Sequence, residues 1–429
     1  MMERQMKDSG VEWIGMIPID WEARKLKYLL GCSMQYGANE SGIEYDEKLP
    51  RYIRITDIDS KNNLKTENKL SLTEQMAKDY ILNDNDILFA RSGATVGKTF
   101  LYKSEYGRSA FAGYLIRATL DKRKTIPKFI FYYTLSEGYD LWKKYIFIQS
   151  TIQNIGADKY MNLVIPITSI DEQKKIVDYL DEKVGEIDSV ITKTRETLED
   201  YKKYKQAIIT EAVTKGLNPD VEMKDTDNEW IGKIPAHWDY VRIQRLFEMV
   251  DERNDDPNAC LLSLYTSLGV KPRSELEEKG NKAITVMNYK IVKKDDVIVN
   301  KLLAWMGAIG YSEYDGVTSP DYDVYRAKEN APVVKTYYNE YFRHTCFKDD
   351  CYKYGHGIML MRWRTYPEEF LRIKVPNPPL EEQKEIAKYL DEKCSEIDKL
   401  IAKKEELLAD LERYKKSLIY EYVTGKKEV

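Results

Sequence analysis

The sequence DEQKKIVDYLDEKVGEIDSVI, residues 171–191, returns almost letter for letter as EEQKEIAKYLDEKCSEIDKLI, residues 381–401. The two copies lie 210 residues apart, and each continues as a helix-forming stretch to Thr214 or Thr424. Such similarity at a fixed distance is typical of a fold that is built twice from one kind of unit. We therefore expect the chain to be organised around two long helices, over 171–214 and 381–424.

The apolar residues of the first copy are spaced by alternating steps of four and three, which is the pattern of a coiled-coil seam. At 1.5 Å per residue each helix would be about 65 Å long, which is too long for one compact domain. Prolines precede both runs, and none interrupts them. The seam positions of the first copy are Ile176, Leu180, Val184, Ile187, Ile191, Thr194, Leu198, Tyr201 and Ile208.

The charges along the helices favour antiparallel pairing. Residues 171–188 contain seven acidic and three basic side chains, whereas residues 193–215 contain six basic and four acidic ones. The second copy has the same polarity, so an antiparallel pair places opposite charges side by side, each exposed pair contributing a few tenths of a kcal/mol. The alternative is two independent, solvated helices.

A second repeat precedes the helices. EWIGMIPIDW, residues 12–21, recurs as EWIGKIPAHW, residues 229–238, and indicates a hydrophobic anchor at the start of each unit. The segments that follow, 22–165 and 239–375, mix strand-like and helix-like patterns and predict α+β domains. We predict strands at 52–58 and 113–118, a buried strand within 83–93, and a helical stretch over 126–145. The predicted order is an anchor and domain over 1–165, a long helix over 166–216, a second anchor and domain over 217–375, and a second helix over 376–429.

Composition narrows the functional classes. The 429 residues carry a net charge of −4, so any nucleic-acid surface has to be local or completed by a partner. The five scattered cysteines argue against a disulfide framework. No signal-peptide pattern or long apolar run is present, and we expect a cytoplasmic protein without a membrane association.

Three motifs suggest chemistry that their spacing does not support. GATVGKT, residues 93–99, has three residues between its glycines, whereas a phosphate-binding P-loop needs four. NPPL, residues 377–380, resembles an adenine-methyltransferase motif but lacks the aromatic residue that stacks on a flipped base. His344, Cys346, Cys351 and His356 lack the spacing of a usual zinc site. We therefore expect no catalytic residue, no metal and no cofactor.

The combined pattern resembles the specificity subunit of type I restriction–modification systems. It consists of EWIGxIPxxW, a variable domain, the helix-start phrase IPxxxxxEQKxIxxYLDxKxxxID and a long helix, all present twice over essentially the whole chain. DILFARSGATVGK and QSTIQNI in the first domain also resemble that family's target-recognition sequences. In the second domain KLLAWMG and GHGIMLMRWR stand in their places, which is a departure from the family pattern.

The resemblance implies two globular α+β target-recognition domains separated by a long antiparallel two-helix coiled coil with an internal pseudo-two-fold repeat. Each domain would read half of a bipartite site in double-stranded DNA. The helices would set the spacer between the halves and dock two methyltransferase subunits, with restriction and motor subunits as further partners. The chain itself would be a non-catalytic subunit of that complex.

Base reading requires Arg, Lys, Asn or Gln side chains at base edges, and other polar side chains at phosphates. We therefore expect DNA contacts from two loops in each domain. In the first domain the candidates are Arg91, Ser92 and Lys98, and then Gln149, Ser150, Thr151, Gln153 and Asn154. In the second they are Lys301 and Trp305, and then His356, Arg362 and Arg364. The alternative is a coiled-coil adaptor with two protein-binding heads and no role at DNA.

Overall fold

The computed structural model describes residues 4–59, 62–148, 154–266, 268–275, 285–357 and 363–429. The chain forms two compact units. Unit 1 comprises Met1–Arg195 and Glu406–Val429, and unit 2 comprises Glu196–Glu405. Each unit thus combines one globular segment with part of each long helix.

The long helices have the bounds that the sequence predicts to within one residue. They are α5, Ile170–Lys215, and α10, Leu380–Val423. In unit 1, Lys415 binds Asp188 and Arg195 binds Glu412, each at 2.7 Å, so the two helices run antiparallel. In unit 2, Lys205 binds Asp398 at 2.7 Å in the same sense. Because the seam residues of the first copy are buried, with the exception of the half-buried Tyr201, the alternative of independent, solvated helices is wrong.

The glutamine of the EQK phrase fixes the start of each long helix. In unit 1 the Oε1 of Gln173 accepts hydrogen bonds from the hydroxyl of Thr125 and from the backbone N–H of Ile126, at 2.9 and 2.8 Å. In unit 2 the Oε1 of Gln383 accepts one from the N–H of Val334 at 2.8 Å. Both glutamines are fully buried. Each glutamine thus ties the start of its long helix to a backbone N–H group elsewhere in its unit, that of Ile126 or Val334. This pairing explains why a polar residue recurs at a buried position.

Unit 1 contains two four-stranded sheets in addition to shorter strand pairs. One sheet has the order β10-β6-β7-β5 and the other β4-β11-β8-β9, while β1 pairs with β2 and β12 pairs with β3. The strands are β1 Met6–Asp8, β2 Met16–Pro18, β3 Glu22–Lys25, β4 Gln35–Tyr36, β5 Ile43–Glu44, β6 Arg51–Ile53, β7 Leu70–Ser71, β8 Ile87–Ala90, β9 Thr99–Leu101, β10 Ser109–Phe111, β11 Leu115–Ala118 and β12 Val164–Ile167. The helices before α5 are α1 Glu74–Ala77, α2 Pro127–Tyr133, α3 Glu137–Ile148 and α4 Ala157–Met161.

Unit 2 repeats the second of these sheets as β16-β23-β20-β21. Its other described strands pair as β13 with β14, β15 with β24, β17 with β18, and β19 with β22. The strands are β13 Met223–Asp225, β14 Lys233–Pro235, β15 Asp239–Arg242, β16 Phe247–Val250, β17 Leu262–Tyr265, β18 Gly269–Pro272, β19 Lys290–Val292, β20 Val297–Asn300, β21 Ile309–Tyr311, β22 Gly316–Thr318, β23 Tyr322–Ala327 and β24 Lys374–Asn377. The helices before α10 are α6 Ile243–Leu246, α7 Lys335–Arg343, α8 Thr345–Tyr354 and α9 Pro367–Arg372.

Each unit has a core in which the anchor, the sheet and the long helices meet. In unit 1 the fully buried Trp21 donates from its indole nitrogen to Glu172 at 3.1 Å, which joins the anchor to the start of α5. Trp238 is fully buried at the matching position of unit 2. These contacts confirm the predicted hydrophobic anchors. Among the described residues, no helix is long and apolar enough to cross a membrane.

Two predicted elements of unit 1 are wrong in part. The predicted strand over 52–58 ends at Ile53 and continues as a 3₁₀ turn, Ile55–Asp57, because the Asp57 carboxylate accepts hydrogen bonds from the backbone and the guanidinium of Arg54. The predicted helical stretch over 126–145 is two helices, α2 and α3. The Ser136 hydroxyl donates to the Tyr133 carbonyl at 2.7 Å and so helps close the turn between them.

Candidate DNA-binding surface

The unit 1 loop, residues 91–98, joins the neighbouring strands β8 and β9. The N–H of Ala90 donates to the carbonyl of Lys98 at 2.8 Å, and the N–H of Gly97 donates back to Ala90 at 2.9 Å. Gly97 has a φ of +82°, and a Cβ there would lie 2.4 Å from the Cδ of Lys143, so the turn requires glycine. The closed turn exposes Gly93, Ala94 and Thr95 at its tip.

Arg91 begins the unit 1 loop and is held against an aromatic ring. Its guanidinium carbon lies 5.0 Å from the ring centroid of Tyr36. The Tyr36 hydroxyl accepts a hydrogen bond from the N–H of Ala157 at 3.0 Å, which fixes the ring. The Nε of Arg91 is buried and has no hydrogen-bond partner among the described residues. Stacking therefore fixes the plane of the guanidinium and leaves a donor group unpaired.

The unit 1 loop contacts the segment that begins at Asn154. Ser92 and Asn154 form an antiparallel bridge, and the N–H of Ile155 donates to the carbonyl of Arg91 at 2.8 Å. The Oδ1 of Asn154 is buried and has no partner among the described residues. The structure thus brings Arg91, Ser92 and Asn154 together. Gln149, Ser150, Thr151 and Gln153 lie outside the described residues.

Lys98 points away from the tip of the loop. Its ammonium group donates to the carbonyl oxygens of Ile58 and Asp59 at 3.0 and 2.5 Å. Burial lowers the pKa of this group below its usual value. These contacts give Lys98 the geometry of a side chain that fastens the loop to the residues after the Ile55–Asp57 turn.

The unit 2 loop, residues 301–308, joins β20 and β21 in the same way. The N–H of Thr365 donates to the carbonyl of Lys301 at 3.1 Å, as the N–H of Ile155 does to the carbonyl of Arg91. Lys301 lies 210 residues after Arg91, and Thr365 lies 210 residues after Ile155. Gly307 has a φ of +88°, and a Cβ there would lie 2.4 Å from the Cε of Lys348. The two units therefore build one loop geometry from different sequences.

The side chains of Lys301 and Trp305 both turn toward the protein, Lys301 toward a carboxylate and Trp305 toward an aromatic ring. The Lys301 ammonium lies 3.5 Å from the buried carboxylate of Asp323, which also binds Lys290 at 2.9 Å. The indole nitrogen of Trp305 donates to the carbonyl of Leu302 at 3.0 Å, and its ring packs edge-on against Tyr352. Trp305 thus supports the loop from below.

His356 and Arg364 are exposed beside the unit 2 loop. Each donates its backbone N–H to the carbonyl of the other, at 2.9 and 3.1 Å. The His356 ring stacks on Tyr366 with centroids 4.8 Å apart. The structure therefore brings the exposed side chains of His356 and Arg364 together beside the backbone of Lys301, whereas the Lys301 side chain turns toward Asp323. Arg362 lies outside the described residues.

Three residues of these surfaces were absent from the sequence predictions. Tyr36 lies on the distant strand β4 and reaches Arg91 through the β4–β11–β8 pairing, for which the sequence offers no local signal. Leu303 and Met306 are exposed by 40% and 50% at the tip of the unit 2 loop. The change from RSGATVG to KLLAWMG was the signal that could have identified them.

The residues considered for zinc have other contacts. The Nδ1 of His344 accepts a hydrogen bond from the N–H of Cys346 at 3.2 Å, and its Nε2 lies 2.6 Å from the Thr210 hydroxyl. Cys351 is buried in the core of unit 2. The described part of the chain contains no group of three or more His, Cys, Asp or Glu side chains arranged to hold a metal ion.

The chain matches the family model described as the type I restriction modification DNA specificity domain twice, over residues 18–200 and 235–412. It is 26% identical to a protein of Methanocaldococcus jannaschii assigned as the type I restriction enzyme MjaX specificity subunit, over 96% of this chain and 95% of that protein. Identity to the MjaVIII specificity subunit of the same organism is 23%, over 96% and 93%.

Two solved structures share the fold. One, from a study of complex assembly and conformational transition of the type I R-M system, gives a TM-score of 0.70 at 14% identity, over 96% of this chain and 99% of that chain. The other is the HsdS subunit from Thermoanaerobacter tengcongensis, with a TM-score of 0.51 at 15% identity, over 96% and 98%. At these identities the likeness concerns the fold alone.

Proposed function

The chain belongs to the family of type I restriction–modification DNA specificity proteins, and we propose that each of its two units reads one half of a bipartite DNA target. It is the specificity component of such a system and serves in DNA recognition. The comparisons do not support the alternative of an adaptor without a role at DNA.

One observation carries the proposal of two reading surfaces. In both units the first residue of the loop accepts a hydrogen bond from a segment 64 residues further along, namely Ile155 to Arg91 and Thr365 to Lys301. Both loops turn at a glycine with positive φ, Gly97 and Gly307. A shared backbone frame that presents unlike side chains is suited to the same task on two different sequences.

The side chains at the two surfaces suit different halves of a target. Unit 1 presents Arg91, Ser92 and Asn154, and Arg and Asn are side chains that form paired hydrogen bonds with guanine and adenine in the major groove. Unit 2 presents His356 and Arg364. Because the two sets differ, we propose that the two half-sites differ in sequence.

The proposal extends to the remaining subunits. We assign to the long helices the roles of setting the spacer and docking two methyltransferase subunits, which modify an adenine in each half-site. Restriction and motor subunits complete the complex. In this scheme the chain contributes recognition, and its partners contribute the chemistry. A net charge of −4 fits a reader whose partners complete the enclosure of the duplex.

The experiment is a genome-wide map of N6-methyladenine in cells that contain the methyltransferase partner, with and without this chain. We expect a split motif of two short half-sites that is methylated only when the chain is present. An unchanged methylation map, together with no co-purification of a methyltransferase subunit, would contradict the proposal.

A further inference from the structure

Two large apolar side chains, Leu303 and Met306, stand in solvent at the tip of the unit 2 loop. The equivalent positions of the unit 1 loop hold Gly93 and Val96. Single exposed apolar residues are common on protein surfaces. The unit 2 loop exposes two of them on one tight turn, whereas the unit 1 loop exposes small residues at its tip. This difference distinguishes the two surfaces.

The backbone of the unit 2 loop holds these side chains outward. The N–H groups of Met306 and Ala308 both donate to the carbonyl of Leu303, at 2.9 and 3.0 Å, and the N–H of Leu303 donates to Asn300 at 3.0 Å. Ala304 is fully buried, and Trp305 packs beneath the turn on Tyr352. The inward positions are thus already filled, so Leu303 and Met306 have no place in the core.

An exposed cation lies on the segment beside the two side chains. This segment is hydrogen-bonded to the backbone of Lys301 at the start of the loop and carries the exposed Arg364, while the Lys301 ammonium itself is paired with Asp323. A basic surface is complementary to the phosphates of DNA. An apolar tip beside an exposed arginine therefore fits a place where a phosphate lies to the side and base edges lie in front.

We propose that Leu303 and Met306 contact the C5-methyl group of a thymine in the major groove of the half-site that unit 2 reads. The thymine methyl is the one apolar group among the major-groove edges of the four base pairs, and apolar side chains recognise it by contact. This inference rests on the proposed function. It adds that unit 2 selects its half-site partly by an apolar contact, whereas unit 1 presents hydrogen-bonding groups at its own loop.

The test replaces thymine by deoxyuridine, which removes only the methyl group and keeps every base-pair hydrogen bond. Once the split motif is mapped, duplexes with deoxyuridine at each thymine of the unit 2 half-site are titrated with the complex of this chain and its methyltransferase subunits. Loss of one contacted methyl should weaken binding about four-fold, the factor expected for one buried methylene. The Leu303→Ala/Met306→Ala variant should bind the thymine and deoxyuridine duplexes equally well.

Matched controls separate this contact from general effects. Val96→Ala in the unit 1 loop should retain the full response to deoxyuridine in the unit 2 half-site. Because Leu303 and Met306 are exposed, their replacement should leave the melting temperature of the chain unchanged.

Two results would overturn the inference while leaving the proposed function intact. The first is a wild-type complex that binds the split motif and is indifferent to deoxyuridine at every thymine of the unit 2 half-site. The second is an equal response of the wild type and the double variant. Failure of the wild-type complex to prefer the unmodified split motif over random DNA would instead reject the proposed function, and the inference with it.

Discussion

Arg91 is held by the ring of Tyr36, a residue from another part of the chain, and so its guanidinium is oriented before any ligand arrives. Preorganised side chains lose less entropy on binding than mobile ones. We predict that Arg91→Ala weakens methylation of the unit 1 half-site by roughly 10- to 100-fold, which corresponds to the loss of one paired base contact. The methylation rate of Arg91→Lys should lie between those of the wild type and Arg91→Ala, because lysine keeps the charge and lacks the planar guanidinium.

The matched control for Arg91 is Arg123→Ala. Arg123 lies in the same unit, is highly exposed and binds Asp121 at 3.0 Å. Initial methylation rates on the mapped motif compare the variants at equal charge. Equal methylation rates for Arg91→Ala and Arg123→Ala would show that Arg91 does not contact the DNA target.

Asp350 is a buried carboxylate in unit 2 that accepts hydrogen bonds from the Asn228 side chain at 2.7 and 2.8 Å. Burial raises its pKa to about 7. The folded state therefore binds a proton that the unfolded state, with a pKa near 3.8, has released. The stability that this proton contributes is present at low pH and is lost as pH rises from about 4 through 7.

We predict that Asp350→Asn abolishes this pH dependence. Asparagine keeps an oxygen for Asn228 and has no charge to bury. The variant should exceed the wild type in free energy of unfolding by about 2–4 kcal/mol at pH 8, and by much less at pH 5. Urea denaturation at both pH values measures the difference in the free energy of unfolding. Because both proteins contain His344, any contribution from that residue cancels in the difference. A constant difference between pH 5 and 8 would show that Asp350 does not titrate there.

At the candidate sites, the sequence was sufficient to find the loops and insufficient to orient their side chains. Arg91, Ser92 and Asn154 do meet, because the phrases that contain them flank adjacent elements of unit 1. The inward course of Lys98 depends on carbonyl groups about 40 residues away, and Tyr36 reaches Arg91 across three strands. Such long-range contacts leave no periodic signal in the chain.

At the scale of elements, one difference between equivalent positions of the paired long helices changes their packing. In unit 1 the rings of Tyr179 and Tyr422 lie 4.4 Å apart, and the Tyr422 hydroxyl donates to that of Tyr179 at 3.0 Å. The matching residues of unit 2 are Tyr389 and Ala212. Both line a cavity of about 720 Å³ whose lining includes Ile208 and Ile231. The smaller side chain of Ala212 thus accounts for part of an open groove in unit 2.

We predict opposite stability changes for exchanges at these two positions. Tyr422→Ala should lower the free energy of unfolding by about 3 kcal/mol, as expected for truncation of a buried aromatic side chain. Ala212→Tyr should raise it by about 1 kcal/mol by filling space. Thermal denaturation of both variants checks the pair, with Tyr422→Phe as a control that removes only the hydroxyl. A lower melting temperature for Ala212→Tyr would mean that the groove does not accept the ring.

The predictability of the elements follows their length and their local chemistry. The ends of α5 and α10 were predicted within one residue because a proline precedes each helix and the seam is long and regular. The strand over 52–58 was overextended because alternation alone does not reveal the Arg54–Asp57 turn. The break at Ser136 was missed for a similar reason, since the local hydrogen bonds that close the turn, including that of the Ser136 hydroxyl, leave no periodic pattern in the sequence.

At the scale of the whole molecule, the net charge of −4 bears on how the isolated chain binds DNA. We predict weak binding with a steep dependence on salt, because contacts to phosphates release counterions and the partners would supply more of the basic surface. Fluorescence anisotropy with the mapped duplex at 50 and 200 mM salt measures this. Tight binding that is insensitive to salt would mean that the chain needs no partner to enclose DNA.

The central claim is that each unit reads its own half of the target. The most direct measurement replaces residues 22–165 by the corresponding segment of a family member with a different target, and then maps N6-methyladenine in cells with the methyltransferase partner. The account predicts a motif in which one half-site changes, while the other half-site and its methylated adenine stay as they were. A motif in which both halves change, or neither does, would contradict it.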